Sequence, residues 1–290
     1  MAPDYYTFTG RDGEVIPQHV THVLVGRALK FVRARAFYEH PNIEELVCHD
    51  GVRKIEHLAF FLCPRLRRVV MTGVKEVEDH AFDHCKALTY IECDKLKRIG
   101  RCAFRKCESL SSVDLPSARI VKWYALGHCT NLKNVKLGKD LKSIEPGSFW
   151  DCTSLERIAL PLKDGMIIDN NVFQGCAKLR SVDLIGGVHE TIAALLMEEW
   201  KNDMNEEIEK ISQILLRNTP AGNGNPDYAL GGKTQAIRAW ITTMLRKFNH
   251  YKAEHRRCVN MAAALEPALP NDIVLKNVFP FLAHTFEGEN

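Results

Sequence analysis

Cysteine recurs at a nearly constant spacing through the first two thirds of the chain. Six of the ten cysteines follow one another at intervals of 22 to 24 residues: Cys63, Cys85, Cys107, Cys129, Cys152 and Cys176. Thiols at fixed intervals can bind a metal ion, form disulfides or fill small apolar spaces in a packed core. The spacing alone leaves all three roles open, so the residues around each cysteine must decide between them.

The cysteines belong to an internal repeat with seven copies. The copies begin at Ala36, Ala59, Ala81, Ala103, Ala125, Ser148 and Val172. Six copies have phenylalanine at the second position, and the fifth has Leu126. His40 stands in place of the cysteine in the first copy. A period near 22 residues lies within the range of roughly 20–29 residues that is typical of leucine-rich repeats.

Each copy contains a short alternation of apolar and polar residues, which is typical of a β-strand with one buried face. Apolar residues recur ten and twelve positions after each start, as at Val69 and Met71. A second apolar pair, such as Leu96 and Ile99, precedes each copy and predicts another short extended segment. One coil cannot bury its apolar face alone, so stacked coils should share one core. Residues 19–25 repeat the strand pattern and predict a partial first coil that caps the stack.

These residues resemble the BspA-type leucine-rich repeats, whose pattern is A-F-x-x-C-x-x-L-x-x-V-x-L-P. The resemblance covers about residues 17–187, and the final proline of the pattern is present at Pro116 and Pro161. It implies a repeat solenoid of short β-strands and turns. Residues 1–187 are therefore expected to form a leucine-rich repeat domain with an amino-terminal cap.

The repeat favours packing as the role of the cysteines. Eight of the ten occupy core positions, because Cys48 and Cys93 fall within the predicted strands. Equivalent residues of stacked coils lie about 5 Å apart, which would also permit a disulfide ladder. However, the start of the chain lacks a recognisable secretory signal, which predicts a reducing compartment.

A zinc site is the alternative role for these thiols. The possible ligands around the third copy are His80, His84, Cys85, Cys102 and Cys107. Zinc sites usually bring two pairs of ligands, each pair about two to four residues apart. The sequence contains no C-x-x-C pair. We therefore expect no metal and no cofactor.

Residues 188–290 form a second region whose apolar residues have helical spacing. One helix is predicted over 191–217, with acidic residues on its outer faces. Residues 218–235 are rich in glycine, asparagine and proline, which predicts a flexible loop. A second helix is predicted over about 236–264, with a basic face that can lie near the acidic helix. This hairpin could cap the open end of the solenoid or bind a separate partner.

Two short segments of this region resemble known motifs. Gly231–Thr234 reads GGKT, but a phosphate-binding loop would require glycine where Asp227 stands. Residues 269–282 resemble the beginning of an F-box, although they contain only a fragment of one. The F-box resemblance implies a ubiquitin-ligase substrate adaptor as an alternative function.

The residues that flank each buried valine of the repeat should point away from the core. They form two rows across the coils, and the rows contain side chains of both charges and an aromatic residue. The candidate partner-binding residues in these rows are Arg68, Val70, Tyr90, Glu92, Asp114, Lys136 and Arg157. Mixed charges favour a protein partner, because a phosphate backbone would require one sign throughout.

The composition narrows the class of function. The formal net charge is only +3, from 39 basic and 36 acidic residues, which argues against general nucleic-acid binding. No run of about 18 apolar residues predicts a membrane span, and no catalytic motif such as H-E-x-x-H or G-x-S-x-G is present. We expect a monomeric, cytoplasmic, non-enzymatic scaffold that binds a protein partner. A surface adhesin is the alternative if the protein is exported.

Overall fold

The computed structural model describes residues 5–185, 198–217 and 232–265. Residues 5–185 form a parallel β-solenoid of stacked coils, as the repeat predicts. Each coil contributes one strand to each of two opposite sides of the solenoid. All neighbouring strands run parallel, because equivalent segments of successive coils enter the stack in the same direction.

Three sheets form the two sides. The first sheet has the order β1 (Tyr5–Phe8), β2 (His22–Val25), β4 (Glu45–Val47), β6 (Arg68–Val70) and β8 (Tyr90–Glu92). The second continues the same side with β10 (Ser112–Leu115), β12 (Asn134–Leu137), β14 (Arg157–Pro161) and β16 (Ser181–Ile185). The third, here called the back sheet, contains β3 (Phe31–Val32), β5 (Lys54–Ile55), β7 (Glu76–Val77), β9 (Arg98–Ile99), β11 (Ile120–Val121), β13 (Ser143–Ile144) and β15 (Ile167–Ile168). The outward side of the first two sheets is called the strand face.

Neighbouring strands pair equivalent positions of the repeat. In β6 and β8, for example, Arg68 lies opposite Tyr90 and Val70 lies opposite Glu92. One repeat position therefore becomes a column of side chains that runs along the solenoid. The stack begins earlier than the sequence predicts, because β1 pairs in parallel with β2 ahead of the expected cap at residues 19–25.

Phenylalanine and cysteine columns fill the core. Ring stacking joins Phe37–Phe60, Phe60–Phe82, Phe82–Phe104 and Phe149–Phe173, with centroids 4.7 to 5.7 Å apart and planes within 11°. Leu126 is buried where the phenylalanine column is interrupted. All nine cysteines whose side chains the structure describes are buried as free thiols, so the packing interpretation is confirmed.

Each repeat cysteine also joins its coil to the preceding one. The thiols of Cys63, Cys85, Cys107, Cys129, Cys152 and Cys176 donate to the carbonyl oxygen at the phenylalanine position of the preceding copy, at 3.0 to 3.4 Å. Side-chain donors of this kind are weak. Their regular placement nevertheless gives each thiol a second role beside filling space.

Left-handed backbone conformation marks two corners in each of the seven copies of the repeat. It occurs just before the start of each copy and again three residues after that start, as at Leu58 and Leu62 in the second copy. Most of these positions carry side chains despite the steric cost, and only Gly147 and Gly175 supply the residue that suits them best. The corners turn the chain sharply between the two sides of the solenoid.

The strand face is interrupted near its middle. Within residues 5–185, no ladder of backbone hydrogen bonds joins β8 to β10, whereas the back sheet continues past this point without a break. The Sγ atom of Cys93 lies 3.6 Å from the carbonyl oxygen of Asp114 across the gap. Ile91 is only partly buried at this point, whereas the equivalent residues of the other coils are buried.

Two helices follow the solenoid, α1 (Glu198–Arg217) and α2 (Gly232–Leu265). The expected loop over 218–235 is wrong at its end, because residues 232–235 already form the first turn of α2. Hydrogen bonds join this turn to the last coil. The expected start of the first helix, residues 191–197, lies outside the described residues.

The helices cover the carboxyl-terminal end of the stack. Ile211 and Leu215 of α1 and Ile237 and Met244 of α2 are fully buried in the same core as the repeat columns. Helix α1 lies against β16, the last strand of the second sheet. The described part of the hairpin therefore caps the solenoid, which is one of the two roles that the sequence left open.

Candidate binding surface on the strand face

Two rows of side chains project from the strand face. The candidate residues Arg68, Tyr90, Asp114, Lys136 and Arg157 are exposed, and Val70 and Glu92 are partly exposed. The predicted outward direction of all seven is therefore observed. Two other members of these rows, Glu45 and Ala159, are each only 8% exposed.

A network within the chain already occupies the amino-terminal part of this face. The guanidinium of Arg68 donates to Glu45 at 2.6 Å, and the Tyr5 hydroxyl donates to the other carboxylate oxygen at 2.7 Å. Burial opposes ionisation of Glu45, but these donors outweigh it and lower the pKa of the carboxyl. Arg68 also lies over the Tyr90 ring, 5.4 Å from its centroid. The Arg68 guanidinium is therefore already engaged by Glu45 and Tyr90 of the same chain.

A shallow depression lies on the second half of the face, across β10 to β16. Its volume is about 250 Å³, and it is lined by Ser112, Val113, Asp114, Asn134, Val135, Lys136, Arg157, Ala159 and Asp183. Val113, Val135 and Ala159 are each less than 10% exposed and form an apolar floor. The small side chain of Ala159 leaves room where neighbouring coils carry Lys136 and Asp183.

Charged side chains of both signs border this floor. Lys136 lies 4.0 Å from Asp114, and Arg157 lies 3.4 Å from Asp183. These side chains remain between 41% and 62% exposed, so solvent screens each pair and leaves it exchangeable. A partner can therefore replace either contact with one of its own.

The structure divides the seven candidate residues into two groups. Asp114, Lys136 and Arg157 come together at the depression. The other four, Arg68, Val70, Tyr90 and Glu92, lie on the first sheet beyond the break. Ala159 and Asp183 also line the depression, although neither is among the candidates that the sequence gives. A small residue in a row of larger ones was the available signal.

Two overlapping matches to the family model for the BspA type leucine rich repeat region, with six copies, cover residues 30–121 and 97–195. Together they span more than half of the chain. The chain belongs to the BspA-type leucine-rich repeat family. The family match confirms the resemblance read from the repeat, over a range that begins at residue 30 rather than at about residue 17.

Solved structures of bacterial proteins are similar to this BspA-type chain over about three fifths of its length. A leucine-rich repeat protein from Bacteroides ovatus is 19% identical, covers 57% of this chain and 61% of its own, and has a TM-score of 0.39. The T. pallidum leucine-rich repeat protein is 24% identical, with coverages of 62% and 69% and a TM-score of 0.38. The pneumococcal vaccine antigen PcpA is 12% identical, with coverages of 62% and 65% and a TM-score of 0.28. The chain thus spans less than two thirds of the length of the Bacteroides ovatus protein and of PcpA.

The comparisons give no support to the F-box resemblance. The BspA-type match ends at residue 195, and residues 269–282 also lie outside the described part of the chain. A search of curated proteins gives no match. Among the helices that the structure describes, none has both the length and the apolarity that a membrane crossing requires.

The histidines considered for zinc binding in the third BspA-type copy surround a buried carboxylate. Asp83 is fully buried, and its Oδ2 atom accepts hydrogen bonds from His80 Nδ1 at 2.8 Å and Arg105 Nη2 at 2.9 Å. His84 Nδ1 lies 2.9 Å from Oδ1 but is not aligned for a hydrogen bond. The thiol of Cys85 donates instead to a backbone carbonyl. Within the described residues, no group of three or more histidine, cysteine or acidic side chains is arranged to hold a metal ion.

Burial also keeps several thiols of the BspA-type repeat protonated. It raises the pKa of Cys48, Cys93 and Cys129 to about 12. The thiolate is the form that attacks electrophiles and binds metals. At neutral pH these cysteines therefore remain protonated parts of the core.

Lys233 and Thr234 of the GGKT segment have a structural role in the cap. Lys233 is 7% exposed, and its ammonium donates to the carbonyl oxygens of Ala177 at 2.8 Å and Leu179 at 2.7 Å. The hydroxyl of Thr234 accepts a hydrogen bond from the backbone N–H of Phe173 at 3.0 Å. These contacts pair backbone groups of the last BspA-type coil that no further coil can reach.

Charge complementarity holds the two helices of the cap together. Lys247 of α2 lies 3.3 Å from Asp203 and 3.1 Å from Glu207 of α1. The Tyr251 hydroxyl also donates to Asp203, and this bond is the main reason that the Asp203 pKa is lowered. The indole of Trp240 donates to the Glu207 carbonyl oxygen at 3.0 Å. The predicted pairing of a basic helix with an acidic one is observed at Lys247.

Proposed function

We propose that this chain is a non-catalytic interaction scaffold whose strand face, between β10 and β16, binds a protein partner. The supporting observation is the depression with an apolar floor and a charged border. Protein interfaces share this arrangement, in which an apolar centre is surrounded by polar side chains. The solenoid supplies the rigid backbone that such a surface requires.

The chemistry of the depression indicates what the partner presents. A volume of about 250 Å³ accommodates one large apolar side chain, whereas sites for small ligands usually measure about 300–1,000 Å³. Asp114 and Asp183 can pair with basic residues of the partner, and Lys136 and Arg157 with acidic ones. We therefore propose a segment with an apolar anchor flanked by charges of both signs.

The scaffold is proposed to act as a monomer in the cytoplasm, where its free thiols would stay reduced. The ligase-adaptor and adhesin alternatives stay predictions, because no contact among the described residues favours either. The proposed binding surface does not include Arg68, because its charge is already paired with Glu45.

A charge exchange tests this proposal without changing the net charge. Asp114→Lys combined with Lys136→Asp reverses the border of the depression while it preserves an ion pair. Intact protein and this variant would serve as baits in parallel affinity purifications, with quantitative mass spectrometry of the captured proteins. The proposal expects specific partners to be lost from the variant, because like charges would then face the partner.

The matched control exchanges a pair outside the strand face. Lys86 and Glu108 form an exposed ion pair at 3.2 Å, so Lys86→Glu with Glu108→Lys makes an equivalent change elsewhere. Partners should be retained by this control. An identical set of captured proteins for the intact chain and the Asp114–Lys136 exchange would reject the depression as the binding surface.

A further inference from the structure

A row of basic residues runs along the opposite side of the solenoid. In each of six successive coils, the residue immediately before the back-sheet strand is basic: Lys30, Arg53, Lys75, Lys97, Arg119 and Lys142. From Arg53 onwards, the backbone N–H of each member donates to the carbonyl oxygen of the preceding member, at 2.7 to 2.9 Å. These bonds place the six residues in register, one coil apart. The set is called the basic row.

The lysines of the basic row are available to a ligand. Lys30, Lys75 and Lys142 are exposed, and Lys97 is partly exposed. Among the described residues, none of these four forms an ion pair. Because like charges repel at this spacing, four unpaired ammonium groups in one line favour the binding of an anion.

The two arginines of the basic row are engaged within the chain. Arg53 donates to the carbonyl oxygens of Asp50 and Gly73, and Arg119 lies 3.6 Å from the carboxylate of Asp140. Arginine is the side chain that best clamps a phosphate with two parallel hydrogen bonds. The free groups of the row are therefore flexible point charges, which suit carboxylates whose positions vary.

The surroundings of the basic row disfavour a broad polyanion. Glu56, Glu78 and Glu145 each follow directly after a strand of the back sheet, and each carboxylate accepts a hydrogen bond from a backbone N–H of the preceding coil. These carboxylates would repel a nucleic acid or an anionic membrane pressed against the sheet. Phe31 is the one aromatic residue among the back-sheet strands. The strands therefore offer a single ring, whereas single-stranded nucleic acids stack successive bases on several aromatic side chains.

We propose that the basic row binds an extended acidic segment of a protein. Five coil steps separate Lys30 from Lys142, which gives a row about 24 Å long at about 4.8 Å per coil. An extended chain advances about 3.4 Å per residue, so about seven residues span the row. A segment this narrow can lie along the row without covering the glutamates beside it. This surface is separate from the depression on the strand face.

Fluorescence anisotropy with a labelled peptide of ten glutamates tests the proposal directly. The full chain should bind this peptide, should not bind the matching peptide of ten glutamines, and should bind less tightly as NaCl is raised. Lys75→Glu combined with Lys97→Glu should weaken binding about tenfold or more. Circular dichroism and a urea titration of the variant would verify that it remains folded.

Lys133→Glu combined with Lys178→Glu is the matched control, because both lysines are exposed and neither belongs to the basic row. It makes the same change in net charge and should leave binding within about twofold of the original. Equal weakening by both variants would show a general charge effect and overturn the proposal. No binding of the glutamate peptide, or tighter binding of a ten-nucleotide oligothymidine or of phosphatidylserine vesicles, would also overturn it.

Discussion

At the residue scale, the thiols of the repeat link each coil to its neighbour. The carbonyl oxygen of Phe82 illustrates the arrangement, since it accepts the backbone N–H of Cys85 from its own coil and the thiol of Cys107 from the next. Alanine would fill less of the space and would offer no donor. Cysteine is small and apolar and has a weak donor, so it meets both requirements of the corner.

The raised thiol pKa predicts how stability depends on pH. Burial raises the pKa of Cys129 to about 12, while an unfolded thiol titrates near 8.5. Between these values the unfolded chain loses the proton and the native protein keeps it. The contribution of Cys129 to the free energy of unfolding is therefore complete below about pH 8.5 and falls above it by about 1.4 kcal/mol per pH unit.

Urea denaturation of Cys129→Ala measures this effect. The variant should be less stable than the original at pH 7 because it loses buried volume. Its deficit should shrink by about 2 kcal/mol between pH 8.5 and pH 10. Val135→Ala, which removes a buried side chain without a thiol, should show a deficit that does not change with pH. A constant deficit for Cys129→Ala would contradict the assignment of this thiol to a dry core.

The left-handed corners contain strain that glycine would relieve. Leu62 has a φ of 54° and is 36% exposed, so the loss of its remaining burial should offset only part of the strain that is relieved. Leu62→Gly should raise the free energy of unfolding by about 0.5–1 kcal/mol, because the left-handed conformation costs other residues about 1–2 kcal/mol. Arg65→Gly, at an exposed position without a positive φ, should lower stability instead. A loss of stability in Leu62→Gly, measured by thermal denaturation, would contradict the corner geometry.

At the element scale, the hairpin of α1 and α2 replaces the coil that would otherwise come next. Its first turn pairs the backbone of the last coil through Lys233 and Thr234, and its apolar face extends the core. Lys233→Met should lower the free energy of unfolding by about 2–3 kcal/mol, because two buried carbonyl oxygens would lose their donor. Amide exchange in β16 should also become faster.

Arg246→Met is the matched control for this change, since Arg246 is exposed on the same helix. It should leave both the unfolding transition and exchange in β16 close to those of the original chain. Similar behaviour of the two variants would contradict the role of Lys233 in holding the cap.

The periodic elements could be predicted from the sequence, and the contacts between non-equivalent elements could not. The seven starts, the buried columns and the outward strand residues follow from one spacing, because stacking converts a period into a column. Lys233 contacts Ala177, which is 56 residues away and belongs to no period. The break between β8 and β10 could likewise not be predicted, since the sequences of both strands fit the repeat. The basic row does follow the period, but only a comparison of the variable positions reveals it.

At the scale of the whole molecule, one stack presents surfaces of different chemistry on its two sides. The strand face offers an apolar depression with charges of both signs, while the back sheet carries the basic row. The charge exchange at Asp114 and Lys136 should therefore leave binding of the glutamate peptide unchanged. A scaffold of this design could hold two partners at once, each recognised by its own side.

Both surfaces depend on the stacked core, and alkylation of the cysteines tests that core most directly. Native protein would be treated with iodoacetamide at pH 8, digested and analysed by mass spectrometry, with protein unfolded in guanidinium as the reference. The account predicts that Cys63, Cys85, Cys107, Cys129, Cys152 and Cys176 stay unlabelled in the native protein and all react after unfolding. Rapid labelling of these thiols under native conditions would contradict the stacked solenoid.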